Sequence, residues 1–236
     1  MKFSDWEFIS EQNRELSALV EAGDMASLQT AIEGMDWNLP KMTDFEFYNE
    51  HCRHTWGPPV SDIEQIVKWT PEDAKVLDVG FGYGHVLRAL DNGQRSLYGI
   101  DSCSAAVARL QVEMPNACLQ KSDILSLTSL VLVDTVVCME VLEHLSPVQG
   151  QRMLELLKVG LEDESSRLLL STRINENLGR SLLACPHCGD VIHPAGHVRS
   201  FSETLLFAEL YLAGWWVTEA VRSPGGILLK CAKLCA

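Results

Sequence analysis

Cys185, Cys188, His193 and His197 have the types and spacing of a metal site, reading C-x2-C-x4-H-x3-H. Two soft thiolates and two imidazoles this close suit a tetrahedral Zn²⁺, and four protein ligands would make the site structural. Pro186 and Gly189 shape a knuckle whose N–H groups can point at the sulfurs, and His187 is a substitute ligand. The competing reading is a reduced surface loop with two free thiols. A second group is Asp78, Gly80, Gly82 and Gly84, spaced D-x-G-x-G-x-G within KVLDVGFGYGHVLRAL, residues 75–90. The apolar run Val76, Leu77 and Val79 before it reads as a buried parallel strand. Val86, Leu87 and Leu90 after it recur at helical spacing. Strand, glycine turn and helix make a nucleotide-cofactor architecture, in which glycine lets a ligand approach where a Cβ would collide.

The cofactor class follows from spacing and charge. A dinucleotide fingerprint needs G-x-G-x-x-G. Counted from Gly80 the third position is His85, and counted from Gly82 it is Leu87, so neither register fits. A carboxylate at Asp78 would oppose a pyrophosphate and suits a ligand with a cationic end. Residues 96–100 read as the next strand and end in Asp101, placed to accept both ribose hydroxyls of an adenosine. The competing role for Asp101 is capping the helix over 105–112, a task that Ser102 or Ser104 could also perform.

The D-x-G-x-G-x-G pattern resembles motif I of the class I S-adenosylmethionine-dependent methyltransferases. V-L-E-H-L at 141–145, after the apolar run 131–139, resembles a segment common in the family's small-molecule, ubiquinone-biosynthesis-like branch. G-H-x-R-x-F-S at 196–202 resembles the stretch leading into the last helix of such enzymes. The resemblance implies S-adenosylmethionine as cofactor, held by Asp78, Gly80, Gly82, Gly84, Asp101 and Ser102. It implies that Asp123 and the backbone of Ile124 read the adenine, and that Met139 and Glu140 lie beside the methionine part. It also puts His197 and Arg199 at the border of the substrate pocket, so His197 has two competing roles. The N/D-P-P-Y motif of the DNA and protein-glutamine branch is absent. His144, one turn beyond Glu140, is a candidate general base, because imidazole titrates in the right range. His54, in an aromatic and histidine-rich stretch with His51 and Trp56, is another catalytic candidate. For each histidine the competing reading is structural.

These residues need elements to position them. Helical periods run over residues 4–22, where Gly23 ends the pattern, and over 25–35, with Asp24 as cap. The resemblance implies that such N-terminal helices form a lid over the substrate. The reading from the residues alone is a helical cover on one sheet edge. Further strands are expected at 118–120, 131–139 and 167–172, with a helix after Pro147. Ser202 caps a helix over 203–213, and S-P-G-G at 223–226 joins two closing strands. The expectation is an α/β, Rossmann-like seven-stranded methyltransferase sheet with a C-terminal antiparallel hairpin. Residues 1–61 form a helical extension, 62–236 the methyltransferase domain, and 174–200 a zinc-binding insertion.

Composition narrows the partners. With 236 residues, 47% of them hydrophobic, the chain can build a full core. The net charge of −13 opposes bulk binding to a phosphate backbone. Eight cysteines, a charged start without a signal-peptide pattern and no membrane-length apolar run lead to the expectation of a cytoplasmic, thiol-reduced protein. The expected acceptor is a small molecule bearing a hydroxyl, amine or carbon nucleophile. The alternatives are a macromolecular acceptor, a non-catalytic zinc-stabilised binding module, and a nicotinamide oxidoreductase, which the glycine spacing opposes.

Overall fold

The computed structural model describes residues 3–35, 57–184 and 186–234. His51, His54, Trp56 and Cys185 lie outside them. The strands are β1 (Lys75–Val79), β2 (Ser96–Asp101), β3 (Cys118–Lys121), β4 (Thr135–Met139), β5 (Arg167–Arg173), β6 (Leu183–Ala184), β7 (Val191–Ile192), β8 (Trp215–Ser223) and β9 (Gly226–Lys233). Among the described residues seven of them form one sheet, ordered β3-β2-β1-β4-β5-β9-β8. The first five are parallel, and β9 runs antiparallel to both β5 and β8. This is the expected methyltransferase sheet with its terminal hairpin. β6 and β7 form a separate antiparallel pair.

The helices are α1 (Phe3–Glu21), α2 (Met25–Gly34), α3 (Val60–Trp69), α4 (His85–Leu90), α5 (Ser104–Glu113), α6 (Pro147–Val159) and α7 (Glu203–Leu212). The period of two along each strand divides the core. Leu77 and Val79, Val136 and Cys138, and Leu168 and Leu170 face α1, α2, α6 and α7. Val76, Val137 and Leu169 face α3, α4 and α5. Strands buried on both faces must be apolar on both faces, which is why they read as continuous hydrophobic runs. The two N-terminal helices contribute Trp6, Ile9, Leu16, Leu28 and Ile32 to the first layer.

Local signals fixed several boundaries. Asp24 Oδ1 accepts from Ser27 N at 3.0 Å, and Ser202 Oγ accepts from Leu205 N at 3.1 Å, so both expected caps are present. The strand expected over 131–139 begins only at Thr135. Val131 and Leu132 are exposed, and Val133 makes an isolated bridge to Leu161. Regular pairing starts where Thr135 meets Val76 and Arg167.

Arg199 is a correction to the expected pocket border. It is fully buried, ion-paired to Glu209 of α7 and stacked 4.4 Å over the Phe201 ring. Removing one member of a buried pair leaves an uncompensated charge, whereas replacing both with apolar residues is often neutral. Glu209→Ala is therefore expected to lower stability by about 3–5 kcal/mol in urea unfolding, with Arg199→Met/Glu209→Leu recovering most of it. Equal losses in the single and double variants would contradict the buried-pair account.

Candidate active site

The turn between β1 and α4 is built by its glycines. Gly80, Gly82 and Gly84 all have positive φ. A Cβ on Gly80 would lie 2.6 Å from Val141 Cγ2, and one on Gly84 would lie 2.5 Å from Leu110 Cδ1. The first contact lets the turn approach the segment after β4, and the second seats it on α5. Asp101, at the end of β2, closes the other side. Its Oδ2 accepts from Gly82 N at 2.7 Å and its Oδ1 from Cys103 N at 2.8 Å. An ionised carboxylate has about four acceptor sites, so both oxygens keep capacity for ribose hydroxyls. Cys103 is the N-cap residue of α5, and Ser102 is exposed at the strand end. Asp78 is buried inside β1, and burial, reinforced by the charge of Asp101, pushes its carboxyl up to about 8. Asp123 accepts from Leu125 N through Oδ1 at 3.0 Å and starts a single turn whose Ile124 is buried.

At the carboxyl end of β4, Met139 is buried and Glu140 takes a left-handed φ of 54°. Such a conformation in a non-glycine residue is strained and concentrates at functional sites. Glu140 is held by its own backbone N–H to Ser171 O (3.1 Å), by Ser171 Oγ on Oε1 (2.8 Å), and by Arg173 at 3.4 Å. Its carboxylate is thus fixed beside β5.

Beyond it lies a cluster of two carboxylates and three imidazoles. The backbone carbonyl of Glu143 accepts from Val198 N (2.9 Å) and Arg199 N (3.2 Å), and His144 Nδ1 meets Gly196 O at 3.2 Å. These bonds dock the 193–199 segment on the turn after β4. His197 lies 5.0 Å from His144, ring centre to ring centre, and the same distance from His193. Its Nδ1 is 2.6 Å from Glu176 Oε2, and its Nε2 is 4.0 Å from Glu143 Oε1. Thr172 Oγ1 donates to Glu143 Oε2 at 2.9 Å, while Oε1 is buried without a hydrogen-bond partner. Burial, with the charge of Glu140, pushes the Glu143 carboxyl well up. Burial, with the charge of His197, lowers His144 to about 4. Burial also lowers His193, aided by His197. For Glu176, burial acts upward but is outweighed by the hydrogen bond and charge of His197, and the net direction is down.

Among the described residues two groups could hold a metal ion: Glu143, His144 and His197, and Glu176, His193 and His197. In each, one ligand atom per residue lies within 4.8 Å of the others. Among the described residues Cys188 joins neither group. It is exposed beyond β6, and its Sγ donates to Asp190 Oδ2 at 3.3 Å. The structure therefore brings His144, His193 and His197 together and adds Glu143 and Glu176, to which sequence reasoning gave no role. Glu143 stands next to His144 and could have been singled out by that adjacency. Glu176 is 17 residues before His193, and only the fold joins them.

A methyltransferase domain family model matches residues 47–220. No curated protein is matched by sequence. The fold is shared with the 1,6-didemethyltoxoflavin-N1-methyltransferase of Burkholderia thailandensis, solved with 1,6-didemethyltoxoflavin and S-adenosylhomocysteine. The two are 17% identical over 81% of this chain and 86% of that one, with a TM-score of 0.65. It is also shared with magnesium protoporphyrin IX methyltransferase from Synechocystis PCC 6803, solved with S-adenosylmethionine, at 17% identity, 83% and 100% coverage and a TM-score of 0.57. A methyltransferase from Methanosarcina mazei gives 18%, 73% and 98%, and 0.58. The chain belongs to the methyltransferase domain family, and it shares its fold with S-adenosylmethionine-dependent methyltransferases.

Asp78 generates a prediction with a definite sign. Folded Asp78 holds its proton to about pH 8, whereas an unfolded carboxyl ionises near 3.8. Between these values the folded state binds the extra proton, so this group makes stability fall as pH rises. Asp78→Asn is expected to raise the ligand-free melting midpoint at pH 8 and to leave it nearly unchanged at pH 4. Scanning calorimetry at both pH values checks this, and an equal shift at the two would contradict it.

Proposed function

We propose that the enzyme transfers a methyl group from S-adenosylmethionine to a small-molecule acceptor entering beside the Glu143–His144–His197 cluster. The observation that carries this reading is the shared end of the sheet. The Gly80–Gly84 turn, Asp101, Glu140 and the cluster all stand at the carboxyl ends of parallel strands, where open α/β sheets bind ligands. Bound S-adenosylmethionine would supply an electrophilic methyl on sulfonium. The chain's residues fit it: Asp101 offers acceptors to hydroxyl groups, a cationic group bound nearby would favour ionisation of the buried Asp78, and Gly82 leaves open space on the turn. We assign Asp123 and Ile124 to the adenine end, and Met139 and Glu140 to the methionine end. The acceptors printed for the solved neighbours, a toxoflavin precursor and a magnesium porphyrin, support a small-molecule substrate.

A cleft of about 660 Å³ between α1 and the segment after β5 supports an acceptor site there. Asn13, Arg14 and Ser17 line it from α1, and Asn175 and Glu176 from the opposite wall. Helix α1 would then serve as one wall of the substrate site, which is the part of the lid expectation proposed here. His54 lies outside the described residues and keeps its place as a catalytic candidate.

For the metal we favour Glu143, His144 and His197 over a four-ligand zinc at Cys185, Cys188, His193 and His197. The observation is that Glu143 is fully buried with Oε1 4.0 Å from His197 Nε2, too far for a hydrogen bond, whereas in the other trio Glu176 and His197 are already bonded to each other. Two imidazoles and a carboxylate suit a first-row divalent ion such as zinc. An ion there would supply Lewis acidity toward an acceptor hydroxyl. The residues' own part is to orient that hydroxyl and keep water out.

Two measurements test these readings. Label transfer from methyl-tritiated S-adenosylmethionine into a cell extract is expected in the low-mass fraction. Label on macromolecules would contradict the small-molecule acceptor. Asp101→Ala is expected to weaken S-adenosylhomocysteine binding at least about 100-fold in calorimetry, as hydrogen bonds to a charged group are lost. For the metal, Co²⁺ titration is expected to give a d–d spectrum that Glu143→Gln weakens and Cys188→Ser leaves intact. An intense thiolate charge-transfer band would instead favour the cysteine set.

A further inference from the structure

We infer that Glu176 and His193 are a positioning pair for His197, fixing which of its ring nitrogens carries the proton. The inference rests on the reading of His197 as a functional residue and assigns a role to two side chains that do not act directly. The three residues form a closed ring of contacts. His197 Nδ1 lies 2.6 Å from Glu176 Oε2, and because an ionised carboxylate only accepts, the ring N–H is the donor. His197's backbone N–H donates to His193 Nδ1 at 3.3 Å. His193 Nε2 then carries that ring's proton and faces the other Glu176 oxygen at 3.7 Å. The His193 and His197 rings are stacked, with an interplanar angle of 21°.

The arrangement is held from outside. His193 is 3% exposed, and the ring of Trp6 on α1 stands 6.3 Å from it. Trp6 Nε1 donates to Val191 O at 3.2 Å, and Asn13 Nδ2 to Val198 O at 3.4 Å, so α1 grips both ends of the segment carrying the histidines. Asn175, just before Glu176, takes a left-handed φ of 54° and donates its N–H to Phe201 O at 2.7 Å. A strained residue tied in this way fixes the start of the Glu176 peptide.

The consequence is chemical. A neutral imidazole carries its proton on either nitrogen, and the partner of one nitrogen decides the state of the other. With Nδ1–H committed to Glu176, the lone pair of the neutral His197 ring sits on Nε2, the nitrogen 4.0 Å from Glu143 Oε1. The same bond separates the two candidate metal groups. Glu176 Oε2 and His197 Nδ1 are already hydrogen-bonded to each other, so two of that trio's ligand atoms are committed, while His193 Nε2 only faces Glu176 Oε1 at 3.7 Å. Glu176 is then the outer carboxylate that orients a functional histidine, a role whose loss elsewhere costs about 10–100-fold in metal affinity. Glu176 also lines the cleft beside α1, so it links the proposed acceptor site to His197.

The test uses ring-nitrogen NMR of the full-length protein, with His197 assigned by His197→Gln. Wild type is expected to show His197 as the Nδ1–H tautomer. Glu176→Ala is expected to lose that bias and to bind Co²⁺ about 10–100-fold more weakly. Glu176→Gln, whose amide oxygen still accepts, is expected to restore the tautomer. His193→Phe keeps a stacked ring without the acceptor and is expected to lie between. Unchanged S-adenosylhomocysteine affinity and circular dichroism exclude misfolding as the cause. An Nε2–H tautomer in wild type, or an unchanged tautomer in Glu176→Ala, would overturn the pair. Absence of Co²⁺ binding by wild type would sink the metal reading alone, and the tautomer would still decide the pair.

Discussion

The carbonyl of Glu143 accepts two backbone N–H groups, from Val198 and Arg199, and the site depends on that junction. Residues 174–200 leave the sheet after β5 and return to it before α7. Without an anchor, the histidines they carry would have no fixed relation to the cofactor end of β4. The double bond to Glu143 and the contact of His144 with Gly196 provide that anchor. They also place a buried carboxylate, Glu143, directly under His197. A carboxylate in such a place carries a desolvation cost, and its raised protonation range expresses it.

The same economy of position governs the cofactor end. Asp101 uses its two oxygens to tie the glycine turn to the start of α5, so the group assigned to the ribose also shapes the turn. Gly80 is required by the approach of Val141, which belongs to the segment leading to Glu143 and His144. The glycine turn and the histidine cluster are therefore neighbours through one side-chain contact. A methyl donor and an acceptor held at these two places would meet above β1 and β4.

Much of this was legible in the sequence because it is local. The strand–glycine–helix unit, the Asp24 and Ser202 caps and the S-P-G-G hairpin each depend on residues a few positions apart. The β4 boundary was read too early because Val131 and Leu132 are apolar but exposed, and apolarity alone does not report pairing. The role of Arg199 was misread because its partner, Glu209, is set by the packing of α7. Glu176 was invisible for the same reason: its histidine contacts exist only once the segment after β5 folds back onto β4. The C-x2-C-x4-H-x3-H spacing suggested one tetrahedral set, yet the two histidines turn toward carboxylates that no spacing rule connects to them.

The most direct test of the account is a crystal structure of the protein with S-adenosylhomocysteine. The account predicts the ribose on Asp101, the homocysteine beside the Gly80–Gly84 turn and Glu140, and the sulfur facing the cluster of His144 and His197. A ligand bound elsewhere, or a sulfur turned away from that cluster, would contradict it.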